Sequence, residues 1–201
     1  MAAKLLVDYM PFNVSASQIN ESIEKNNGKL IVKGILQRKN AVNQNGRSYP
    51  DQILEREVEK YKKINVAEKR ALGELDHPDS STINLANVSH NIISMEWNGD
   101  DLIGEVEVLS TPSGNILKEL FKSGIKLGIS SRGVGSVKTI DEDVAEVQDD
   151  YELLCFDFVS NPSTHGAFLK PTNEGREYNK NSKLDRINDL ITTILCTPTN
   201  N

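Results

Sequence analysis

Residues 91–109 read NIISMEWNGDDLIGEVEVL, and this stretch decides how the chain folds. Two runs rich in apolar and β-branched side chains, 91–97 and 101–109, flank the dipeptide Asn98-Gly99. An Asn-Gly pair between such runs is a strong local signal for an antiparallel β-hairpin, because both residues readily adopt positive φ. The stretch therefore predicts a hairpin and an antiparallel sheet around it.

Further strands are predicted on both sides of the hairpin. Residues 29–38 (KLIVKGILQR) are rich in β-branched and aliphatic side chains, and Gly34 within them predicts a bulge or bend. Residues 133–140 and 151–160 form two more apolar runs, separated by an acidic turn at 141–143. Strands therefore dominate the chain.

Two helices are predicted between the strands. Pro50 opens the first, whose apolar stripe comprises Ile53, Leu54, Val58 and Tyr61. The second spans TPSGNILKELFKSG at 111–124, with a capping threonine, a proline at the first helical position, a terminal glycine and an apolar face of Ile116, Leu117, Leu120 and Phe121. This order predicts an α+β domain with a mostly antiparallel sheet, twisted or closed like a barrel, and helices packed outside it.

The composition limits the classes of protein that fit. The chain has 201 residues, 37% of them hydrophobic, which suits one well-buried domain. Its net charge of −6 argues against binding of nucleic acid or of an anionic membrane, and no run of 18 apolar residues predicts a membrane span. Two cysteines without CxxC spacing fit a reducing interior. We therefore expect a soluble cytosolic protein.

A change of composition after Pro171 divides the chain. Residues 172–183 are polar, and residues 184–195 repeat leucine and isoleucine at helical spacing behind the capping residue Ser182. This pattern predicts an amphipathic helix that docks on the domain, mediates self-association into a homo-oligomer, or is a removable extension. We predict an N-terminal extension at 1–27, a main domain at 28–171 and this tail at 172–201.

Residues 126–136, KLGISSRGVGS, contain the best candidate nucleophile. Glycines around Ser130 and Ser131 predict a tight turn after a strand, and they would let main-chain amides face a developing oxyanion. The stretch does not match the G-x-S-x-G elbow of α/β-hydrolases, because its second glycine comes one residue late. An ordinary turn serine remains the simpler alternative.

The imidazoles that could act as a base near neutral pH are His77, His90 and His165. His77 lies in LGELDHPDSS, a predicted loop, where reactive side chains are common, although a solvated turn would look the same. Asp157 is a carboxylate within the apolar run LLCFDFVSNP and could orient an imidazole, or face solvent by strand alternation. His165 is the rival of Asp157 for that role.

Two other classes of protein are weighed against a serine hydrolase. A metallohydrolase would need at least three of Asp76, His77, His90 and His165 to converge, and the spacings of 13 and 75 residues between the histidines match no local metal motif. We therefore expect no metal and no other cofactor. A non-catalytic assembly protein stays open as an alternative, because of the acidic composition and the amphipathic tail.

Three blocks, GELDHP at 73–78, LGISSRGVGS at 127–136 and FDFVSNPS at 156–163, together resemble the prohead core proteases of T-even-type tailed bacteriophages. These are similar to assemblin, the herpesvirus capsid-maturation protease. The similarity includes NGRSYPDQILEREVEKY at 45–61 and covers residues 28–171, with the imidazole before the serine. The resemblance implies an assemblin-type fold for residues 28–171, which would be the protease domain.

The resemblance also implies a function. A relative of these enzymes would be a serine endopeptidase that works in the host cytoplasm inside the immature phage head, and its substrates would be scaffold, internal core and major capsid proteins. By motif, Ser130 is the nucleophile, His77 the general base, and Asp157 or alternatively His165 the third member of a triad. The residues expected to support the oxyanion or bind substrate are Ser131, Arg132 and Gly133.

The resemblance also implies a cleavage preference. Enzymes of this family prefer to cleave after glutamate in a Leu/Ile-x-Glu context. A glutamate side chain at the P1 position needs a cation or several amide donors, and the nearby cations by motif are Arg47, Lys126 and Arg132. Self-cleavage is a further expectation, because matching triplets such as Ile53-Leu54-Glu55 occur in the chain. An acidic sequence would contain such triplets by chance as well.

Overall fold

The computed structural model describes residues 3–76, 78 and 80–160. The strands are β1 (Lys4–Phe12), β2 (Leu30–Arg38), β3 (Arg47–Ser48), β4 (Leu72–Glu74), β5 (Val88–Asn98), β6 (Asp101–Val108), β7 (Leu127–Gly135), β8 (Val137–Asp141), β9 (Val144–Val147) and β10 (Glu152–Ser160). The helices are α1 (Ala16–Lys25), α2 (Asp51–Tyr61) and α3 (Pro112–Lys122), with a π-helical turn at Lys62–Val66 and a 3-10 turn at Leu85–Asn87.

The described strands form three sheets. The first has the order β1-β7-β10 and the second the order β2-β6-β5-β4, and all pairings within both are antiparallel. The third is small, β3-β9-β8, and pairs β3 with β9 in parallel. None of the three closes into a barrel within the described residues, so the predicted α+β class with mostly antiparallel sheets is confirmed in its open form.

The predicted hairpin is confirmed as β5 and β6. Its loop lies one residue later than predicted, because Asn98 pairs with Asp101 and leaves Gly99 and Asp100 between them. Gly99 adopts a φ of 61° at the first loop position, which glycine tolerates without steric cost.

Several other predicted elements are confirmed with local differences, but the single strand predicted at 133–140 is divided between the end of β7 and β8, which lie in different sheets. Strand β2 shifts register between Ile35 and Gln37, and not at Gly34. Helix α2 buries Leu54, Val58 and Tyr61. Helix α3 is capped by the Thr111 hydroxyl, which accepts a hydrogen bond from the Gly114 amide at 3.0 Å, and its apolar face is narrower than predicted, because Ile116 is 55% exposed.

The core lies between the first two sheets and the helices. Phe158 of β10 is surrounded edge-on by the rings of Phe12, His90 and Phe121, with centroid distances of 5.2, 4.7 and 5.4 Å. The first two sheets also meet directly, since Leu75, just after β4, forms a parallel bridge with Phe158. The second sheet is thereby joined to the strand that carries Asp157.

The predicted ends of the chain differ in what the structure describes. Residues 1–27 were expected to be an N-terminal extension, and β1 within them pairs with β7 from Lys4 to Phe12. They therefore contribute to the sheet that contains Ser130. The predicted helix at 184–195 lies outside the described residues, among which no helix is long and apolar enough to cross a bilayer.

Candidate active site

The stretch KLGISSRGVGS contains no tight turn, so this prediction was wrong. Residues Leu127–Gly135 form one continuous strand, β7, buried along its whole length and paired with β1 on one edge and β10 on the other. Its glycines serve close packing: a Cβ at Gly128 would overlap the ring of Tyr9, and one at Gly133 would overlap the ring of Tyr151. Glycine is required here for space.

The two adjacent serines point to opposite faces of β7, because side chains alternate along a strand. Ser131 lies opposite Asp8 and Phe156, on the core face, and its hydroxyl accepts a hydrogen bond from Gln37 Nε2 at 2.9 Å. Ser130 lies opposite Asp157, on the other face. Only one of the two hydroxyls can therefore belong to a site on the face of Asp157.

The hydroxyl of Ser130 is buried and has no hydrogen-bond partner among the described residues. An orphaned buried polar group costs free energy, and most such groups in proteins are satisfied. A serine that keeps its oxygen unpaired next to a carboxylate-bearing strand is therefore a candidate reactive group.

Asp157 is fully buried in a network of charged groups. Its Oδ2 lies 3.0 Å from Arg132 Nε, and its Oδ1 accepts hydrogen bonds from Arg132 Nη2 at 3.2 Å and from the Glu74 amide at 2.9 Å. The predicted solvent-facing alternative for Asp157 is excluded by this burial. The carboxylate lies on the same face of the sheet as Ser130, and Arg132 and the Glu74 amide hold it in place.

Arg132 is the centre of this network. Its Nη2 also donates to Glu74 Oε1 at 3.0 Å, and its Nη1 donates to the Ser80 carbonyl at 2.7 Å. Burial lowers the pKa of Arg132, but Cys155, Asp157 and Glu74 outweigh it and raise the pKa above its ordinary value. The guanidinium is therefore permanently charged and engaged with protein groups.

Gly133, the third predicted oxyanion residue, lies beside an irregularity of the sheet. It pairs with Leu153, and the register of β10 then shifts before Cys155 pairs with Arg132. A bulge interrupts the regular ladder of main-chain hydrogen bonds. Elsewhere β7 is paired on both edges, so its amides belong to the ladders.

The candidate bases are only partly described. His77 and His165 lie outside the described residues. Asp76, which precedes His77, has a φ of 64° and donates its amide to the Phe158 carbonyl at 2.7 Å. The chain thus reaches the strand of Asp157 directly before the position of His77.

His90 is a core residue. Its Nδ1 is 2.8 Å from Ser89 Oγ and its Nε2 is 3.0 Å from the Phe156 carbonyl, so both ring nitrogens are engaged. Burial lowers the pKa of His90 to about 4, against the hydrogen bond to Phe156, so the ring is neutral at pH 7. The described residues also contain no group of three His, Cys, Asp or Glu side chains placed to hold a metal ion.

Three residues near Ser130 were not predicted from the sequence. Glu74 lies in the GELDHP block itself, where a buried partner for Arg132 could have been sought. Gln37 binds Ser131 and not the predicted nucleophile Ser130, and it lies in none of the three motif blocks. Tyr9 lies opposite Ser130 on β1, its hydroxyl is buried without a hydrogen-bond partner among the described residues, and burial raises the pKa of its phenol.

Comparison with known proteins places this chain in a family. The profile of a family described as prohead core protein serine protease matches residues 6–178. The prohead core protein protease of Enterobacteria phage T4 is 34% identical over 145 residues, which cover 71% of this chain and 68% of that protein. The solved structure of the bacteriophage T4 capsid assembly protease superposes with a TM-score of 0.70 at 26% identity, over 80% of this chain and 99% of that chain.

These findings agree with the resemblance of the three sequence blocks. They show a protease of prohead and capsid assembly, so the alternative of a non-catalytic assembly protein is not supported. The chain belongs to the prohead core protein serine protease family.

Proposed function

We propose that this protease is a serine endopeptidase in which Ser130 is the nucleophile, His77 the general base and Asp157 the group that orients and stabilises the imidazole. The observation that carries the proposal is the unpartnered hydroxyl of Ser130 directly opposite Asp157 on the paired strands β7 and β10. The core position of His90 supports His77 as the base. His165 is the alternative third member.

The reaction follows acyl transfer. The imidazole of His77 takes the proton of Ser130 as Oγ bonds to the scissile carbonyl carbon. The C–N bond then breaks, and His77 gives the proton to the leaving amine. Water, deprotonated by His77, attacks the ester, releases the new carboxyl terminus and restores the Ser130 hydroxyl.

The developing oxyanion needs hydrogen-bond donors on the face of Ser130. We assign the stabilisation of the oxyanion to main-chain amides around Arg132 and Gly133. The register shift of β10 beside Gly133 supports this assignment. The hydroxyl of Ser131 is not available for this role, because it faces the core and accepts a hydrogen bond from Gln37.

Cleavage after glutamate in a Leu/Ile-x-Glu context is proposed on the family resemblance. Of the three cations predicted to bind the P1 carboxylate, Arg132 is held by Glu74 and Asp157, and Arg47 donates to Asp8 at 2.7 and 3.0 Å. Lys126 is exposed, directly before β7. It lies four residues before Ser130, at a rise of about 3.3 Å per residue, so a long side chain can meet a P1 glutamate.

Replacing Lys126 with glutamine is expected to lower kcat/KM about fivefold for a peptide with glutamate at P1, the size of one exposed ion pair. The same peptide with glutamine at P1 should be cleaved equally by both forms. Lys122→Gln, another exposed lysine, is the matched control. An unchanged preference for glutamate in Lys126→Gln would show that Lys126 does not bind the P1 side chain.

We propose scaffold, internal core and major capsid proteins as the substrates, with cleavage inside the prohead in the host cytoplasm. The names of the T4 relatives, a prohead core protein protease and a capsid assembly protease, support this setting. Self-cleavage and self-association through the tail remain proposals of the same kind.

The nucleophile is tested by covalent labelling. The wild-type protein is incubated with a fluorophosphonate, and the modified peptide is mapped by mass spectrometry. We expect one adduct, on Ser130, and faster labelling than with a His77→Ala variant, because an activated serine is required. Labelling on another residue, or equal rates with and without His77, would remove the proposed mechanism.

A further inference from the structure

We propose that Arg132 and Glu74 are positioning residues that fasten the loop 75–83 to the strands carrying Ser130 and Asp157. This inference rests on the proposed function, because that loop contains His77. It gives the side chain of Arg132 a role other than the expected contact with substrate or oxyanion.

Several parts of the loop are anchored at Arg132 and Glu74. Arg132 Nη2 binds the Glu74 carboxylate, at the residue that precedes the loop, and Nη1 binds the carbonyl of Ser80 inside it at 2.7 Å. Glu74 Oε1 also accepts a hydrogen bond from the amide of Asn84 at 3.1 Å, just after the loop. The start and the interior of the loop are thus joined directly to Arg132 of β7, and the end is joined to it through Glu74.

The start of the loop is also connected to β10. The amide of Glu74 donates to Asp157 Oδ1 at 2.9 Å, and the amide of Asp76 donates to the Phe158 carbonyl at 2.7 Å. The loop therefore leaves β4 already fixed against the carboxylate proposed to orient the imidazole. A shift of about 1 Å in a catalytic group can cost roughly 10²-fold in rate.

The anchor consists of buried charged groups. Arg132, Glu74 and Asp157 are all fully buried, so two carboxylates share one guanidinium. Breaking a buried ion pair by removing one partner is strongly destabilising, so this cluster holds the start of the loop in a fixed place beside Asp157.

The arrangement argues against direct contact of Arg132 with substrate. Its three guanidinium nitrogens all bind protein groups, and its side chain is fully buried. A substrate carboxylate at this position would have to displace Glu74 or Asp157.

The test compares Glu74→Ala with Glu74→Gln in the full chain, with steady-state kinetics on a peptide substrate and hydrogen exchange of the segment 72–86. Glutamine keeps the oxygen that accepts from Arg132 and Asn84, whereas alanine removes it. We expect Glu74→Ala to lower kcat at least tenfold with KM within about threefold. Its segment 72–86 should exchange faster, and Glu74→Gln should restore both readouts to within about threefold of wild type.

The matched control is Glu57→Ala, which removes another buried carboxylate, one that accepts from the Leu153 amide. It should lower stability without changing kcat of the folded enzyme or the exchange of 72–86. Equal effects of Glu74→Ala and Glu57→Ala on kcat would overturn the proposal, and so would a Glu74→Gln variant as impaired as Glu74→Ala.

If Glu74→Ala does not fold, Arg132→Lys carries the test. A lysine keeps the charge but lacks the planar fork that spans Glu74 and Ser80. It should show the same fall in kcat and the same faster exchange of 72–86, and unchanged values would overturn the proposal. Ser130→Ala is assayed in parallel, and full activity of this variant would refute the proposed nucleophile. Hydrogen exchange of 72–86 in the Glu74 and Arg132 variants would still test whether these residues anchor the loop.

Discussion

Replacing Ser130 with alanine is expected to lower kcat for peptide cleavage by a factor of about 10⁴ or more, because removal of a serine nucleophile leaves only binding and oxyanion stabilisation. Stability should change little or rise, since the Ser130 hydroxyl is buried without a hydrogen-bond partner among the described residues. Cleavage rates and urea denaturation of the purified variant measure both quantities.

The neighbouring serine provides a closely matched control. Ser131→Ala keeps the main-chain amide but removes the acceptor of Gln37 Nε2, so a buried donor loses its partner. We expect a loss of about 1 kcal/mol in the free energy of unfolding and kcat within a few-fold of wild type. The opposite pattern, an active Ser130→Ala and an inactive Ser131→Ala, would show that the catalytic hydroxyl was assigned to the wrong face of β7.

The Asp157→Asn variant should lower kcat by a factor of about 10⁴, as loss of the orienting carboxylate does in serine-protease triads. It should also destabilise the protein, because Arg132 loses one of its two buried carboxylate partners. The amide oxygen can still accept from the Glu74 amide, so the backbone contact of β4 is kept. Kinetics below the unfolding transition separate the two effects.

Glu57→Gln is the control for Asp157→Asn, because it neutralises a buried carboxylate that is paired with Arg56. It should reduce stability and leave kcat unchanged. An Asp157→Asn enzyme that is folded and fully active would make Asp157 a structural residue only. The third member of the triad would then be sought at His165 by His165→Ala.

The elements that the sequence predicts well are those with local signals. The hairpin β5–β6 follows from a glycine loop between apolar runs, and α3 follows from its threonine cap, its proline and Gly124, which adopts a φ of 70°. Each signal acts over a few residues, through backbone preferences that hold in any context.

The prediction of a tight turn at Ser130 was wrong because glycine occurs both in turns and at places where a neighbouring side chain needs space. In isolation, Gly128 and Gly133 suggest a change of chain direction, but here they make room for Tyr9 from β1 and Tyr151. Those rings come from residues far away in the sequence. No local pattern distinguishes a glycine that turns the chain from one that admits a neighbour's ring.

The order of residues alone determined the class of the fold, the family and the short list of reactive groups, because spacing, caps and motif blocks are properties of the chain itself. Only the tertiary structure decided that Ser130 shares a face of the sheet with Asp157 while Ser131 faces the core, and that Arg132 binds Glu74 and Asp157. The reason is strand register: the pairing of β7 with β1 and β10 sets which side chains share a face, and these three strands are distant in sequence.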